Sequence, residues 1–139
     1  NKEGLVFVGD RIDEKEESWQ LPQGGVDPEE DLHTALFRET MEEIGTNNFR
    51  IIKKTEEWLY YDLPPHVSCN FWGGKYKGQR QVWFLCEFLG LDSEININNH
   101  GVPEFSSWKW VDRNKIVELS VDFKKELYSK ILSEFNSYF

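Results

Sequence analysis

The chain has 139 residues and a formal net charge of −9, with 39% hydrophobic and 15% aromatic residues. That length allows one domain with a buried core, and the aromatic content excludes a disordered polypeptide. The acidic balance argues against stable binding to duplex nucleic acid, which depends on neutralising phosphates with Lys and Arg. No stretch approaches the roughly 20 apolar residues of a membrane span. We therefore expect a single domain over residues 1–139, without a membrane partner.

The start of the sequence predicts that residues are missing before it, and the cysteines indicate a cellular compartment. The chain begins at Asn1 and soon enters a strand-like run, residues 5–8 (LVFV), so we expect a few N-terminal residues to be missing. Cys69 and Cys86 form neither a disulfide framework nor a paired metal-ligand spacing. Two such cysteines fit a reducing, cytoplasmic compartment. No feature of the sequence indicates an oligomeric state.

A helix is predicted over about residues 28–44. Asp27 is placed as its N-cap, Pro28 as its first residue and Glu30 as the capping-box partner. Gly45 is placed to end it. An apolar stripe at helical spacing contains Leu32, Leu36, Thr40 and Ile44, extended by Phe37 and Met41. The pattern is typical of a helix with one side on the core.

The rest of the chain predicts strands and a terminal helix. Residues 49–63 read as one or two strands, and residues 79–89 as a strand buried on both faces, because their apolar residues are continuous. A short strand is predicted at residues 108–112, where two tryptophans are expected to pack in the core. Helical spacing recurs from about Phe123 to Tyr138. This order predicts an α/β sandwich with a mixed β-sheet between helices.

Three glutamates of the first predicted helix form a candidate metal site. Glu39 and Glu43 lie about 40° apart around the helix axis, in the sector where the apolar stripe begins, and Glu42 flanks them. Like charges at this spacing destabilise a helix by about 0.2–0.5 kcal/mol per pair. Arg38, four residues before Glu42, is the nearby positive charge that offsets this repulsion. Carboxylates at the margin of a core suit a hard divalent cation. The alternative is an ordinary exposed, Glu-rich helix face.

A glycine turn precedes this helix. Gln23, Gly24 and Gly25 lie just before the predicted N-terminus, where backbone N–H groups favour anions. Glycine also permits unusual backbone angles. The alternative is a simple turn.

The segment GGVDPEEDLHTALFRETMEEIGT, residues 24–46, resembles the Nudix box. In that pattern a glycine is followed by a glutamate, then by Arg-Glu, then by Glu-Glu and a glycine. The matching residues are Gly24, Glu30, Arg38, Glu39, Glu42, Glu43 and Gly45. The segment departs from the pattern at Thr40 and Thr46, where the family usually has bulky apolar residues.

The resemblance implies a Nudix hydrolase that cleaves a phosphoanhydride bond of a nucleotide, with water attacking phosphorus. It implies Mg²⁺, or Mn²⁺ or another divalent cation, as cofactor. The implied metal ligands are Glu39, Glu42, Glu43 and a backbone carbonyl at the Gln23–Gly24 turn. It further implies that Glu43 takes part in catalysis and that Glu30 and Arg38 orient the acidic residues.

The flanking segments SWQLPQGG, WLYYDLP, WGGKYKGQRQVWFL and PEFSSWKWV resemble one branch of that family. The branch comprises bacterial RNA 5′ pyrophosphohydrolases and bacterial and plant dinucleoside polyphosphate hydrolases. It implies that Glu104 of PEF reaches the metal centre as ligand or general base; without the resemblance, Glu104 reads as an ordinary loop carboxylate. Two substrates stay open: a triphosphorylated RNA 5′ end, and a dinucleoside polyphosphate such as diadenosine tetraphosphate, split into ATP and AMP. The intact glutamates argue against a non-catalytic nucleotide-binding module.

Substrate-binding residues are also implied by the branch. Arg11, Ser18 and Phe123 are expected to line the nucleotide pocket, with Arg11 and Phe123 on either side of a base. Phe123 reads equally well as the first core residue of the terminal helix. Contacts to phosphate are expected from Lys75, Lys77, Gln79, Arg80, Gln81 and Lys124, although the KYKGQRQ segment also fits a solvated basic loop. The histidines, which show no metal-ligand spacing, are His33, His66 and His100.

Overall fold

The computed structural model of the chain describes residues 1–64, 78–98 and 101–139. The strands are Val6–Arg11 (β1), Trp19–Gln20 (β2), Phe49–Lys54 (β3), Leu59–Asp62 (β4), Gly78–Gln81 (β5), Phe84–Phe88 (β6) and Phe105–Val111 (β7). The α-helices are Leu32–Ile44 (α1), Ile116–Leu119 (α2) and Asp122–Phe135 (α3). Short 3₁₀ helices span Asp92–Glu94, Arg113–Lys115 and Asn136–Tyr138.

The strands form three sheets, ordered β2-β1-β7, β3-β6 and β4-β5. In the described part of the chain all of these pairings are antiparallel. Residues 49–63 form two strands, and the strand predicted near residue 108 is longer than expected, because it begins at Phe105. The α/β class predicted from the sequence is confirmed.

The prediction of one continuous strand over residues 79–89 is wrong. That segment is divided between β5, which pairs with β4, and β6, which pairs with β3. Between them Trp83 pairs with Thr55: the Thr55 N–H donates to the Trp83 carbonyl at 2.8 Å, and the Trp83 N–H donates to Thr55 Oγ1 at 3.0 Å. A continuous apolar run indicates that a segment is buried, but it does not show that the segment pairs with one strand in its first part and with another in its second.

The predicted start of the first helix is also wrong. The helix begins at Leu32, and its N-cap is Asp31, whose carboxylate accepts a hydrogen bond from the Thr34 N–H at 2.8 Å. The predicted pair of Asp27 and Glu30 does form, with the Asp27 N–H donating to Glu30 Oε1 at 3.0 Å, but it closes a separate turn. Glu29, within that turn, adopts the left-handed region at φ 65°, which an α-helix of L-residues does not accommodate.

The C-terminus of α1 is as predicted. Gly45 adopts φ 76° and its N–H donates to the Met41 carbonyl at 3.0 Å, which is a glycine C-cap. The expected extension of the apolar stripe is wrong, because Phe37 and Met41 are exposed. The residues that α1 buries are Ala35 and Glu43.

The hydrophobic core lies between α3 and the strands. Tyr128 of α3 is fully buried, and its hydroxyl accepts a hydrogen bond from the Leu21 N–H at 3.1 Å. The core residues are Val8, Trp19, Leu21, Trp83, Ile116, Leu127, Tyr128, Ile131 and Phe135. Trp108 and Trp110 are half-buried and contact Phe7, with ring centroids 5.6 Å and 6.1 Å away. No helix in the described residues has the length and apolar character needed to cross a membrane.

Candidate active site

Arg38 joins helix α1 to the loop that precedes it. Its Nε and Nη2 each donate to the Glu30 carboxylate at 2.8 Å, and Nη2 also donates to the Gly25 carbonyl at 2.9 Å. Its Nη1 donates to Glu39 Oε1 at 2.9 Å and lies 3.5 Å from Glu42 Oε2. The hydrogen bond from Arg38 lowers the pKa of Glu30 to about 2. One guanidinium therefore fixes both the turn and two of the predicted metal ligands.

Glu39 lies against the glycine turn. The Gly25 N–H donates to Glu39 Oε1 at 3.2 Å, and a β-carbon on Gly24 would come within 2.2 Å of Glu39 Cδ. Burial raises the pKa of Glu39, and the bond from Arg38 opposes that rise. The turn fits this carboxylate because Gly24 has no side chain.

Glu43 is the buried carboxylate of the site. Only 4% of its surface is exposed, and its Oε1 has no hydrogen-bond partner among the described residues. Burial, a hydrogen bond with Glu104 and the charges of Glu104 and Glu39 raise the pKa of Glu43 to about 10. The carbonyl of Glu104 accepts a hydrogen bond from the Ile12 N–H at 2.9 Å, which holds this segment beside β1. The structure thus places Glu104 beside Glu43.

The carboxylates of the site fit a divalent cation, although they are not arranged as a closed metal cage. Within residues 1–64, 78–98 and 101–139, no three His, Cys, Asp or Glu side chains form a compact ligand group. Glu39 and Glu42 instead face Arg38, and Glu43 faces Glu104. A buried, unpartnered oxygen beside like charges is a position that a cation would stabilise. The donors are all oxygens, which suits Mg²⁺ or another hard ion.

Lys124 is buried next to this acidic group. Its Nζ donates to Gln20 Oε1 at 2.9 Å and to Gln23 Oε1 at 3.2 Å. Burial and the charge of Arg11 lower its pKa to about 8, while the charge of Glu43 opposes that effect. The terminal helix therefore supplies a cation to the same loop that carries Gln23.

An aromatic pair borders the site. The rings of Tyr61 and Phe123 stack with centroids 6.2 Å apart and an interplanar angle of 27°. The Tyr61 hydroxyl donates to Gln79 Oε1 at 2.8 Å. Burial raises the pKa of Tyr61, whereas a hydrogen bond with Gln23 and the charge of Arg11 lower it. Phe123 is half-buried at this border and is absent from the buried core.

Arg11 and Ser18 lie together at the end of β1. Arg11 Nε donates to Asp13 Oδ1 at 2.7 Å, and Nη2 contacts the other oxygen of that carboxylate. The Arg11 N–H donates to the Ser18 carbonyl at 3.1 Å. Ser18 is buried, and its N–H donates to Asp10 Oδ1 at 2.8 Å. Asp13 thus fixes the orientation of the Arg11 guanidinium.

The predicted phosphate contacts on β5 face two directions. Gln81 Nε2 donates to Gln79 Oε1 at 3.1 Å, and Trp83 Nε1 donates to Gln81 Oε1 at 2.9 Å, so both amides lie on the side of Tyr61. Arg80 lies instead over the ring of Trp58. Lys75 and Lys77 lie outside the described residues, as do Cys69, His66 and His100.

The sequence pattern does not single out three residues of this region: Gln20, Asp13 and Tyr61. Tyr61 alternates with exposed neighbours in β4, which could have marked it as facing inward. Gln20 and Asp13 contact Lys124 and Arg11 respectively. The contact of Gln20 with Lys124 joins segments far apart in sequence, so no local pattern reveals it.

Comparisons with known proteins show the family to which the chain belongs. The model of the NUDIX domain family matches residues 1–131. The chain belongs to the Nudix family and is a hydrolase of that family. Nudix hydrolases generally need divalent metal ions, in agreement with the oxygen-rich site.

The chain is similar to curated proteins over nearly its whole length. It is 49% identical to a protein of Zymomonas mobilis named RNA pyrophosphohydrolase, covering 99% of this chain and 89% of that protein. It is 46% identical to a protein of the same name from Wolbachia pipientis wMel, covering 99% and 84%.

Solved structures share the fold. A C. elegans Ap4A hydrolase binary complex superposes with a TM-score of 0.64 at 21% identity, covering 97% of this chain and 89% of that one. The E. coli dihydroneopterin triphosphate pyrophosphohydrolase gives 0.68 at 17% identity, covering 94% and 87%. These similarities confirm the predicted Nudix-type fold.

Proposed function

We propose that this Nudix hydrolase removes pyrophosphate from the triphosphorylated 5′ end of RNA and leaves a 5′-monophosphate. The observation that carries the proposal is the 45–49% identity, over 96–99% of the chain, to proteins named RNA pyrophosphohydrolase. An RNA 5′ end needs only a local binding site, so the net charge of −9 does not oppose it. Such a substrate also accords with the cytoplasmic location expected from the cysteines.

The proposed metal ligands are Glu39, Glu42, Glu43 and Glu104, with a carbonyl of the Gln23–Gly24 turn. Mg²⁺ is the proposed ion, with Mn²⁺ as a substitute. When bound, a divalent ion neutralises phosphate oxygens and lowers the pKa of a coordinated water. The unpartnered oxygen of Glu43 and its repulsion by Glu104 support this assignment.

Protein side chains orient the metal ligands and accept a proton. Arg38 holds Glu30, Glu39 and the Gly25 carbonyl in one arrangement, and support of this kind sets the orientation of metal ligands. The pair of Glu43 and Glu104 is assigned to accept the proton of the attacking water. The water oxygen bonds to the α-phosphorus as the bond between that phosphorus and the pyrophosphate oxygen breaks. Pyrophosphate leaves with the electron pair of the broken bond.

The substrate pocket is assigned to the region bordered by Tyr61 and Phe123. A base between Arg11 and Phe123 would use the two kinds of surface on which bases stack, an aromatic ring and a guanidinium plane. Lys124 brings a positive charge beside the carboxylates, which suits a phosphate oxygen. The remaining proposed contacts are Ser18, Gln79, Gln81 and Lys77.

A dinucleoside polyphosphate is the second candidate substrate. The flanking segments that resemble the RNA enzymes also resemble dinucleoside polyphosphate hydrolases, and the aromatic border suits a base from either substrate. Product analysis tests the first proposal directly. With a triphosphorylated RNA oligonucleotide and Mg²⁺, we expect 5′-monophosphorylated RNA and pyrophosphate. Release of orthophosphate alone, or no reaction, would contradict it.

A further inference from the structure

The outer face of the β4–β5 ribbon carries an unusual group of side chains. Tyr60 is 67% exposed and Trp58 is 39% exposed. Tyr60 lies directly opposite Arg80 in the antiparallel register, and the Arg80 guanidinium carbon is 4.6 Å from the centroid of the Trp58 ring. These three residues, which we name the outer aromatic face, form one surface of two rings and a cation.

The two faces of this ribbon have different environments. Leu59 and Tyr61 point inward and pack against the core, while Gln79 bonds to the Tyr61 hydroxyl on that same side. Because side chains alternate along a strand, Tyr60 and Arg80 point outward. The inner face therefore borders the candidate active site, and the outer aromatic face lies across a ribbon of two strands from it.

One surface depression is lined by residues of both faces of the ribbon. Its volume is about 230 Å³, and it is lined by Tyr60, Tyr61, Asp62, Gln79 and Arg80. It is therefore bordered by Tyr61 and Gln79 of the inner face and by Tyr60 and Arg80 of the outer aromatic face. A substrate that extends beyond the pocket has a path along which to reach Tyr60.

We propose that the outer aromatic face binds a nucleotide of the RNA chain downstream of the reacting 5′ end. This inference rests on the proposed function, because it assumes an RNA substrate. Bases of single strands stack on aromatic rings and on guanidinium planes without sequence preference. The face offers Tyr60 and Trp58 for stacking and Arg80 for a phosphate or a second stacking plane.

Charge supports a nucleic-acid occupant. Arg80 forms no ion pair with any carboxylate of the described residues, so its charge is not neutralised there in a chain of net charge −9. Asp62, further along β4, would repel phosphate. The RNA strand should therefore contact the end of the ribbon that carries Trp58 and Tyr60.

Dependence on RNA length distinguishes this binding site from a structural role. We would measure kcat/KM on a triphosphorylated dinucleotide and on a single strand of about ten nucleotides. The variants are Tyr60→Ala, Tyr60→Phe and Arg80→Ala. The control is Tyr138→Ala, because Tyr138 is also an exposed aromatic residue beside a cation, Lys53, at 5.7 Å.

For Tyr60→Ala we expect kcat/KM to fall roughly fivefold or more on the longer RNA and to stay unchanged on the dinucleotide. Tyr60→Phe should keep the wild-type preference for the longer RNA, and Arg80→Ala should lose part of that preference. Tyr138→Ala should behave as wild type. Equal effects of Tyr60→Ala on both lengths, or no effect on either, would overturn the site while leaving pyrophosphate release intact. If the wild-type protein acts on neither RNA, the proposed function fails and the site fails with it.

Discussion

Gly24 approaches Glu39 so closely that a β-carbon at position 24 would lie 2.2 Å from Glu39 Cδ. The adjacent Gly25 has nothing within 4 Å of the corresponding position, and its N–H donates to Glu39 Oε1 at 3.2 Å. The two glycines therefore have different roles. Gly24 provides space for the carboxylate, and Gly25 provides a hydrogen bond to it.

This difference predicts the effects of two neighbouring substitutions. Gly24→Ala should displace the Glu39 carboxylate and lower kcat on the order of 100-fold, because small misplacements in an active site are costly. Gly25→Ala, at an open position, is the matched control and should retain most activity. Steady-state kinetics of both variants test the assignment, and equal kcat values would show that Gly24 does not position Glu39.

Arg38→Lys should weaken metal binding. Lysine cannot reproduce the planar fork that holds both oxygens of Glu30 and still reaches Glu39. Loss of such support typically lowers metal affinity about 10–100-fold, which a Mg²⁺ titration of activity would measure. Arg50→Lys is a suitable control, since Arg50 pairs with Glu87 on β6. An unchanged Mg²⁺ requirement in Arg38→Lys would contradict this role.

The Arg38–Glu30 pair should make stability depend on pH in the acid range. The pKa of Glu30 is about 2 in the folded chain against an ordinary 4.5. The unfolded chain therefore binds the proton more readily, so the contribution is present above pH 4.5 and is lost as the pH falls towards 2. Thermal unfolding of Glu30→Gln should show a lower Tm at pH 7 and a shallower decline below pH 4.5. A slope identical to that of wild type would argue against the pair.

Glu43 has the opposite dependence on pH. Its pKa is about 10 in the folded, metal-free protein against an ordinary 4.5, so the folded state retains a proton that the unfolded chain releases. The free energy of unfolding should therefore fall as the pH rises between these values.

Glu43→Gln removes that dependence. At pH 8 with a chelator, we expect a higher Tm than wild type, while turnover with metal falls roughly 100-fold or more. Glu126→Gln, a substitution at an exposed position of α3, should change neither quantity. A lower metal-free Tm for Glu43→Gln would mean that the buried carboxylate is not under electrostatic strain.

The sequence predicted where α1 ends but not where it begins. Gly45 caps the helix as predicted, and Glu43, which lies in the sector that continues the apolar stripe, is buried. The helix start was missed because Asp27 and Asp31 both fit a cap, and the left-handed Glu29 that separates them leaves no mark in the composition.

Other features depended on contacts between distant segments. The division of residues 79–89 is set by the bonds of Trp83 to Thr55, which no local pattern reveals. The same holds for the Lys124 contacts to Gln20 and Gln23. Long-range hydrogen bonds thus determine this strand boundary and the position of the Lys124 side chain, which the sequence pattern does not predict.

The preference of the enzyme for RNA is measured by comparing kcat/KM for triphosphorylated RNA and for diadenosine tetraphosphate, at the same enzyme and Mg²⁺ concentrations. We expect a clearly higher kcat/KM for the RNA, with pyrophosphate as its product. Equal values, or RNA slower by orders of magnitude, would contradict the assignment of RNA as the main substrate.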